Sequence, residues 1–207
     1  MKPFFDSGGE AIYKELIMNP ARTCFAVLGA CTTLIATMVF VDSAPAQGAT
    51  DKYSVSVPNG LSFADFRGYE EWQVIATSQN EMLVSAIVGN TVMIDAYKAG
   101  IPDNGEPFPD GAKMAKIHWV PEKSEHFPNT TIPGIQADVD FMEKDSKRFA
   151  DSGGWGYAMF KYDAATDTFT PGTMTDHPPQ ANDAKCGFAC HTTVKSDDYV
   201  FTKYAHR

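Results

Sequence analysis

The sequence predicts an α+β domain built on an antiparallel β-sheet with flanking helices. Three observations carry that reading. Short β-branched and aromatic runs recur along the chain, separated by brief polar or Gly/Pro loops. Between them lie segments with apolar residues at helical spacing and cap residues at their ends. Strands that follow one another so closely pair as neighbours, which favours an antiparallel sheet over a parallel one.

An export leader comes first, over residues 1–46. Cys24 to Val41 is apolar and uncharged, Arg22 precedes it, and Ser43-Ala44-Pro45-Ala46 follows. A basic flank, an apolar stretch and a small-x-small site together read as a secretory signal. Asp6, Glu10 and Glu15 fit an n-region poorly, whereas a start at Met18 gives a leader of ordinary length. The competing reading is an uncleaved membrane anchor, because the run just reaches spanning length. Thr32, Thr33 and Thr37 dilute it and favour cleavage. In both cases the positive flank places residues 47–207 outside the cytoplasm, in the periplasm.

Residues 47–207 suit a single domain with one buried core. Phe63, Phe66 and Tyr69 predict a helix over Leu61–Trp72, with Ser62 as its N-cap. Gln73–Ser78 and Met82–Val88 read as a hairpin closed by Gln79-Asn80-Glu81. Asn90 caps a helix over Thr91–Lys98, which Gly100 ends. After the Gly/Pro-rich loop Ile101–Gly111, strands are expected at Ala112–Val120, Gly134–Met142 and Gly154–Tyr162. Asp163–Ala184 reads as an Asp/Thr/Pro-rich loop. There are no internal repeats.

Composition limits the partners. The chain has 17 Lys+Arg against 26 Asp+Glu, a formal net charge of −9. An acidic surface argues against nucleic acid and anionic membranes; it would suit a basic redox partner such as a soluble electron-acceptor cytochrome, although a plain solvated acidic surface is the commoner explanation. Of the four cysteines, Cys24 and Cys31 leave with the leader, so the domain is not a disulfide scaffold.

The remaining pair stands in Cys186-Gly187-Phe188-Ala189-Cys190-His191. Two thiols ending in Cys-His, in an exported chain, suggest covalent haem attachment with His191 as the iron ligand. The spacer has one residue more than the usual haem-c signal. On the hexapeptide alone, a Cys186–Cys190 disulfide and a zinc site completed by His206 stay open beside haem.

A longer pattern narrows the choice. Pro107-Phe108-Pro109-Asp110-Gly111, a strand containing Lys116, Lys144-Asp145-Ser146-Lys147-Arg148-Phe149, Gly154-Trp155, the Cys-His segment and Asp198-Tyr199-Val200-Phe201-Thr202 occur in order. Together they resemble the cytochrome P-460 family across nearly the whole exported part. The resemblance implies an antiparallel-sheet domain with flanking helices and a C-terminal haem-attachment segment. It also implies a homodimer with one haem c per chain, held by Cys186, Cys190 and His191, and an open sixth iron site. The family's hydroxylamine-oxidising enzymes bond a lysine to the haem edge; the related c′-beta cytochromes lack that bond and bind nitric oxide.

Counted from Gly111, the family's cross-linking lysine falls on Lys116. Strand alternation puts Met114, Lys116 and His118 on one face and Lys113, Ala115, Ile117 and Trp119 on the other, so only one lysine can reach a ligand. Without the resemblance, two solvated lysines on an edge strand are the better explanation of the pair. Counted back from Phe149, the family's distal carboxylate falls on Asp140, a base for a substrate that sheds protons as it is oxidised. A polar strand face turned to water is the plain alternative for Asp138 and Asp140. The family's distal arginine has no counterpart in Glu81–Val88, which leaves Met82, Val84 or Ile87 near the iron. The expected activity is hydroxylamine oxidation or nitric oxide handling; a gas-binding or electron-transfer cytochrome is the alternative.

Overall fold

The computed structural model describes residues 51–57, 60–172 and 182–207, the side chains of 182–186 excepted. The expected leader lies outside the described residues. Six strands form one sheet in the order β1-β2-β3-β4-β5-β6, every pair antiparallel: β1 Gln73–Gln79, β2 Val84–Gly89, β3 Lys113–Lys123, β4 Thr131–Lys144, β5 Trp155–Asp163 and β6 Thr168–Pro171. With the helices α1, Thr91–Lys98, and α2, Asn182–His191, the domain is α+β.

Each sheet face carries its own apolar cluster. One gathers Ile87, Met93, Met114, Met142, Tyr157 and Val200, with α1 packed onto it. The other gathers Phe63, Phe66, Val139, Phe141 and Phe160. Phe141 is fully buried, stacked on Phe66 at 4.0 Å and met edge-on by Phe63 at 5.1 Å. Ring pairs of this kind add to the large burial term of an aromatic side chain.

The hairpin and α1 form where the sequence places them. The Asn90 side chain accepts the Met93 N–H at 3.0 Å, and Gly100 takes φ 91° just past the helix. The helix expected over Leu61–Trp72 does not form. In its place stand two short 3₁₀ turns, Phe63–Phe66 and Tyr69–Glu71, divided by Gly68 at φ 81°. Ser62 does cap the first, in a reciprocal box with Asp65. The apolar spacing was real, but it serves packing onto the sheet, and the left-handed glycine stops propagation. The segment read as loop from Asp163 onward contains β6, whose Phe169 pairs with Tyr162 and packs on Phe63 at 4.8 Å.

Candidate functional site

Strand register brings the site together. Three rows of side chains cross the sheet on the face carrying α1. In the first, Met114 pairs with Met142 and Met142 with Tyr157. In the second, Ile87, Lys116, Asp140 and Met159 stand side by side. In the third are Ser85, His118, Asp138 and Lys161. Polarity therefore rises from one row to the next along the strands.

Lys116 and Asp140 are direct cross-strand neighbours on the wall of a cavity of about 470 Å³. The face division expected for β3 holds. Met114 and Lys116 line the cavity, whereas Ala115 lies in the opposite cluster. Lys113 also points away: its Nζ meets Glu143 Oε1 at 3.0 Å, the Asp65 carbonyl at 2.7 Å and the Phe66 ring at 5.3 Å. Lys116 makes no hydrogen bond or ion pair with the described residues. Of Met82, Val84 and Ile87, expected near the iron, only Ile87 lines the cavity. Val84 belongs to the other face, paired with Trp119, and Met82 is exposed.

His118 completes the polar row. It is 7% exposed, with Nδ1 2.8 Å from Ser85 Oγ and Nε2 3.1 Å from Asp140 Oδ2. A carboxylate only accepts, so Nε2 carries the proton and Nδ1 accepts from the serine hydroxyl. Asp138 Oδ1 lies farther from Nε2, at 3.8 Å. Burial pushes the Asp138 carboxyl above the ordinary carboxylate range, opposed mainly by His118. The order Ser–His–Asp invites comparison with a hydrolase triad. Ser85, however, is 4% exposed and out of a substrate's reach, so the chain of hydrogen bonds orients Asp140 instead. Period-2 counting placed His118 on this face; Ser85 was missed because only the β2–β3 register reveals it.

The cavity's other wall is α2. Gly187, Cys190 and His191 all line the cavity. His191 Nδ1 lies 2.6 Å from the Tyr199 carbonyl, which can only accept, so the proton sits on Nδ1 and the Nε2 lone pair is available. The ring is wedged between Tyr157, at 5.1 Å, and Phe201, at 4.8 Å. Burial pulls the imidazole's pKa below its ordinary value, against the hydrogen bond to Tyr199, and so favours the neutral, ligating form. Cys190 is an exposed free cysteine; the Cys186 side chain lies outside the described residues. His206 is exposed on the C-terminal tail.

Gly187 lies within the helix, where a Cβ would stand 3.1 Å from three atoms of Tyr157. Glycine costs about 1 kcal/mol in a helix interior; here it lets α2 approach β5 closely enough for His191 to meet Tyr157.

An apolar cavity of this size, with one tautomer-locked imidazole on its wall and a Cys-His pair beside it, is a site for a flat metal macrocycle. The fit to haem is good. Met114, Met142, Met159, Tyr157 and Phe201 on the cavity wall would meet the ring system, and His191 Nε2 is preset to ligate iron. The Cytochrome P460 family model matches residues 66–202, and the chain belongs to that family. It is therefore a haem-binding cytochrome, with haem iron as its cofactor. No curated protein matches the chain.

Proposed function

We propose that the chain is a periplasmic mono-haem c-type cytochrome that oxidises hydroxylamine or handles nitric oxide at an open iron site. Haem c, one per chain, would be held through Cys186 and Cys190, with His191 as proximal ligand and Lys116 bonded to the haem edge. Bound haem supplies an electron sink and a coordination site for a small nitrogen-oxide ligand. Asp140 takes up the protons that hydroxylamine releases as electrons leave, while His118, backed by Ser85, holds the carboxylate toward the cavity. The electrons pass on to a soluble acceptor cytochrome, and the protein works as a homodimer.

One observation carries the reading: Lys116, without an ion pair among the described residues, stands next to Asp140 on the wall of the cavity that His191 also lines. A surface lysine set against edge pairing needs no such cavity. The gas-binding alternative draws support from Ile87 and Met114, which make part of the same wall apolar.

The test begins with protein matured by the haem-attachment machinery. Its denatured mass should exceed that of the polypeptide by one haem, and hydroxylamine should reduce an added acceptor cytochrome. Asp140→Ala should slow turnover at least 10-fold while leaving the spectrum intact, as expected for loss of a general base. An unmodified mass defeats the covalent claim. Unchanged turnover in Asp140→Ala defeats the assigned base.

A further inference from the structure

Two consecutive residues other than glycine occupy the left-handed region just after the Cys-His helix: Asp198, at φ 49° and ψ 43°, and Tyr199, at φ 65°. Such backbone costs about 1–2 kcal/mol per residue, less for aspartate than for tyrosine. It persists only where the surroundings over-determine it.

They do so here. The Asp198 carboxylate receives Lys144 Nζ on both oxygens, at 2.8 and 2.9 Å, and the Phe108 backbone N–H on Oδ2 at 2.8 Å. Lys144 is 6% exposed; its ammonium also donates to the Gly153 carbonyl at 3.0 Å and faces the Trp155 ring at 5.1 Å. The Tyr199 ring lies over Gly153, where a Cβ would stand 2.3 Å from it, and against Phe188 of α2. The end of β4, the glycine turn before β5 and the loop at Phe108 thus clamp a single turn. That turn presents the Tyr199 carbonyl to His191 Nδ1 at 2.6 Å.

A buried ion pair is a poor source of net stability, because desolvating two charges offsets their attraction. This one contributes geometry. We infer that the Lys144–Asp198 pair positions the proximal imidazole: it pins the Asp198–Tyr199 turn, so that the Tyr199 carbonyl fixes His191 Nδ1–H and sets the basicity of Nε2 toward iron. The inference rests on His191 being the proximal ligand. Lys144 and Asp198 do not line the cavity; they are positioning residues that act through Tyr199.

The test uses haem-loaded, full-chain protein in the ferrous state, with the iron–imidazole stretch read by resonance Raman and the reduction potential by titration. Asp198→Asn alone strands a buried ammonium and is expected to destabilise the fold. The informative variant is the double Lys144→Met, Asp198→Asn, which removes both charges together. In the folded double variant the stretch should move to lower wavenumber and the potential should rise, because a less firmly held Nδ1–H makes Nε2 a weaker base. Asp198→Glu keeps the charge but displaces the turn by one methylene. It should shift both readouts the same way, which covers a double variant that does not fold. Wild-type stretch and potential in either folded variant overturn the inference and leave the pair a structural one. A haem-loaded wild type with no iron–imidazole stretch overturns it at its premise, and with it the ligand assignment.

Discussion

Lys113 and Lys116 lie three residues apart on β3, and the structure gives them opposite work, so their leucine variants should fail in opposite ways. Lys113 is part-buried. Its side chain is 20% exposed, paired to a Glu143 carboxylate that is 14% exposed, with a second hydrogen bond to the Asp65 carbonyl. A hydrogen bond to a charged group contributes about 1.5–3 kcal/mol. Arg148 Nη1, 3.8 Å from the other Glu143 oxygen, partly compensates the stranded carboxylate. A net loss of about 2 kcal/mol follows, or a Tm lower by about 4–8 °C for a domain of this size. Lys116 loses no partner among the described residues on substitution and stands beside Ile87 and Met114, so Lys116→Leu should hold its Tm within about 2 °C. Thermal unfolding of the haem-free chain reads the first property; absorption of the reduced, haem-loaded chain reads the second. Lys116→Leu should move a red-shifted Soret band to that of an ordinary c-type haem, while Lys113→Leu should leave it in place. Equal losses of Tm in the two variants would refute the assignment of faces. A Soret band shared by Lys116→Leu and wild type removes the cross-link and hands the site to the gas-binding reading.

Three further outcomes follow from the same geometry. His118→Leu strips Asp140 of its 3.1 Å partner and should lower hydroxylamine turnover about 10-fold without altering the haem spectrum, whereas unchanged steady-state kinetics would free Asp140 from His118. Because burial raises the Asp138 carboxyl above its ordinary 3.8, the folded state binds its proton more tightly than the unfolded chain does; the resulting stability is present below that value and lost as pH rises through the raised one. Asp138→Asn should therefore raise Tm at pH 7 and lose its advantage near pH 3, and a gain independent of pH would contradict the assignment. Phe141→Ala opens a hole in the fully buried aromatic cluster and should cost about 3–5 kcal/mol in urea unfolding; a loss below about 1 kcal/mol would mean that the cluster collapses onto the gap.

What the sequence disclosed divides along physical lines. Period-2 alternation settled the faces of β3, because side chains on a strand have no choice but to alternate. The caps of α1 were equally plain, since Asn90 and Gly100 act locally. The failures are tertiary. The spacing of Phe63, Phe66 and Tyr69 matched a helix, but the chain turns at Gly68 to lay those rings on the sheet. Thr168–Pro171 lies in a polar, proline-bearing stretch and is a strand only because β5 offers it an edge. The same holds for the site. Lys116, Asp140 and His191 were legible from motif spacing, whereas the Ser85 hydroxyl behind His118 and the Lys144–Asp198 clamp behind His191 depend on pairings across 33 and 54 residues. No local pattern encodes them.

The odd spacer between the cysteines also has a reading in helical terms. Successive residues on an α-helix turn by about 100° and rise by about 1.5 Å, so positions four apart share a face. Across α2 the hexapeptide is two such pairs: 186 with 190, and 187 with 191. The first sets both cysteine positions on one face, about 6 Å apart along the axis. The second sets Gly187 under His191, and both meet Tyr157, the glycine through its missing Cβ and the histidine through its ring. With the usual two-residue spacer, the first cysteine itself would stand four before the histidine, and its Cβ would point at Tyr157. The extra residue moves that cysteine round to the face of the second and puts in its place the one residue that fits against Tyr157. The longer spacer and the glycine that follows Cys186 are therefore one feature, fixed by how closely α2 lies on β5.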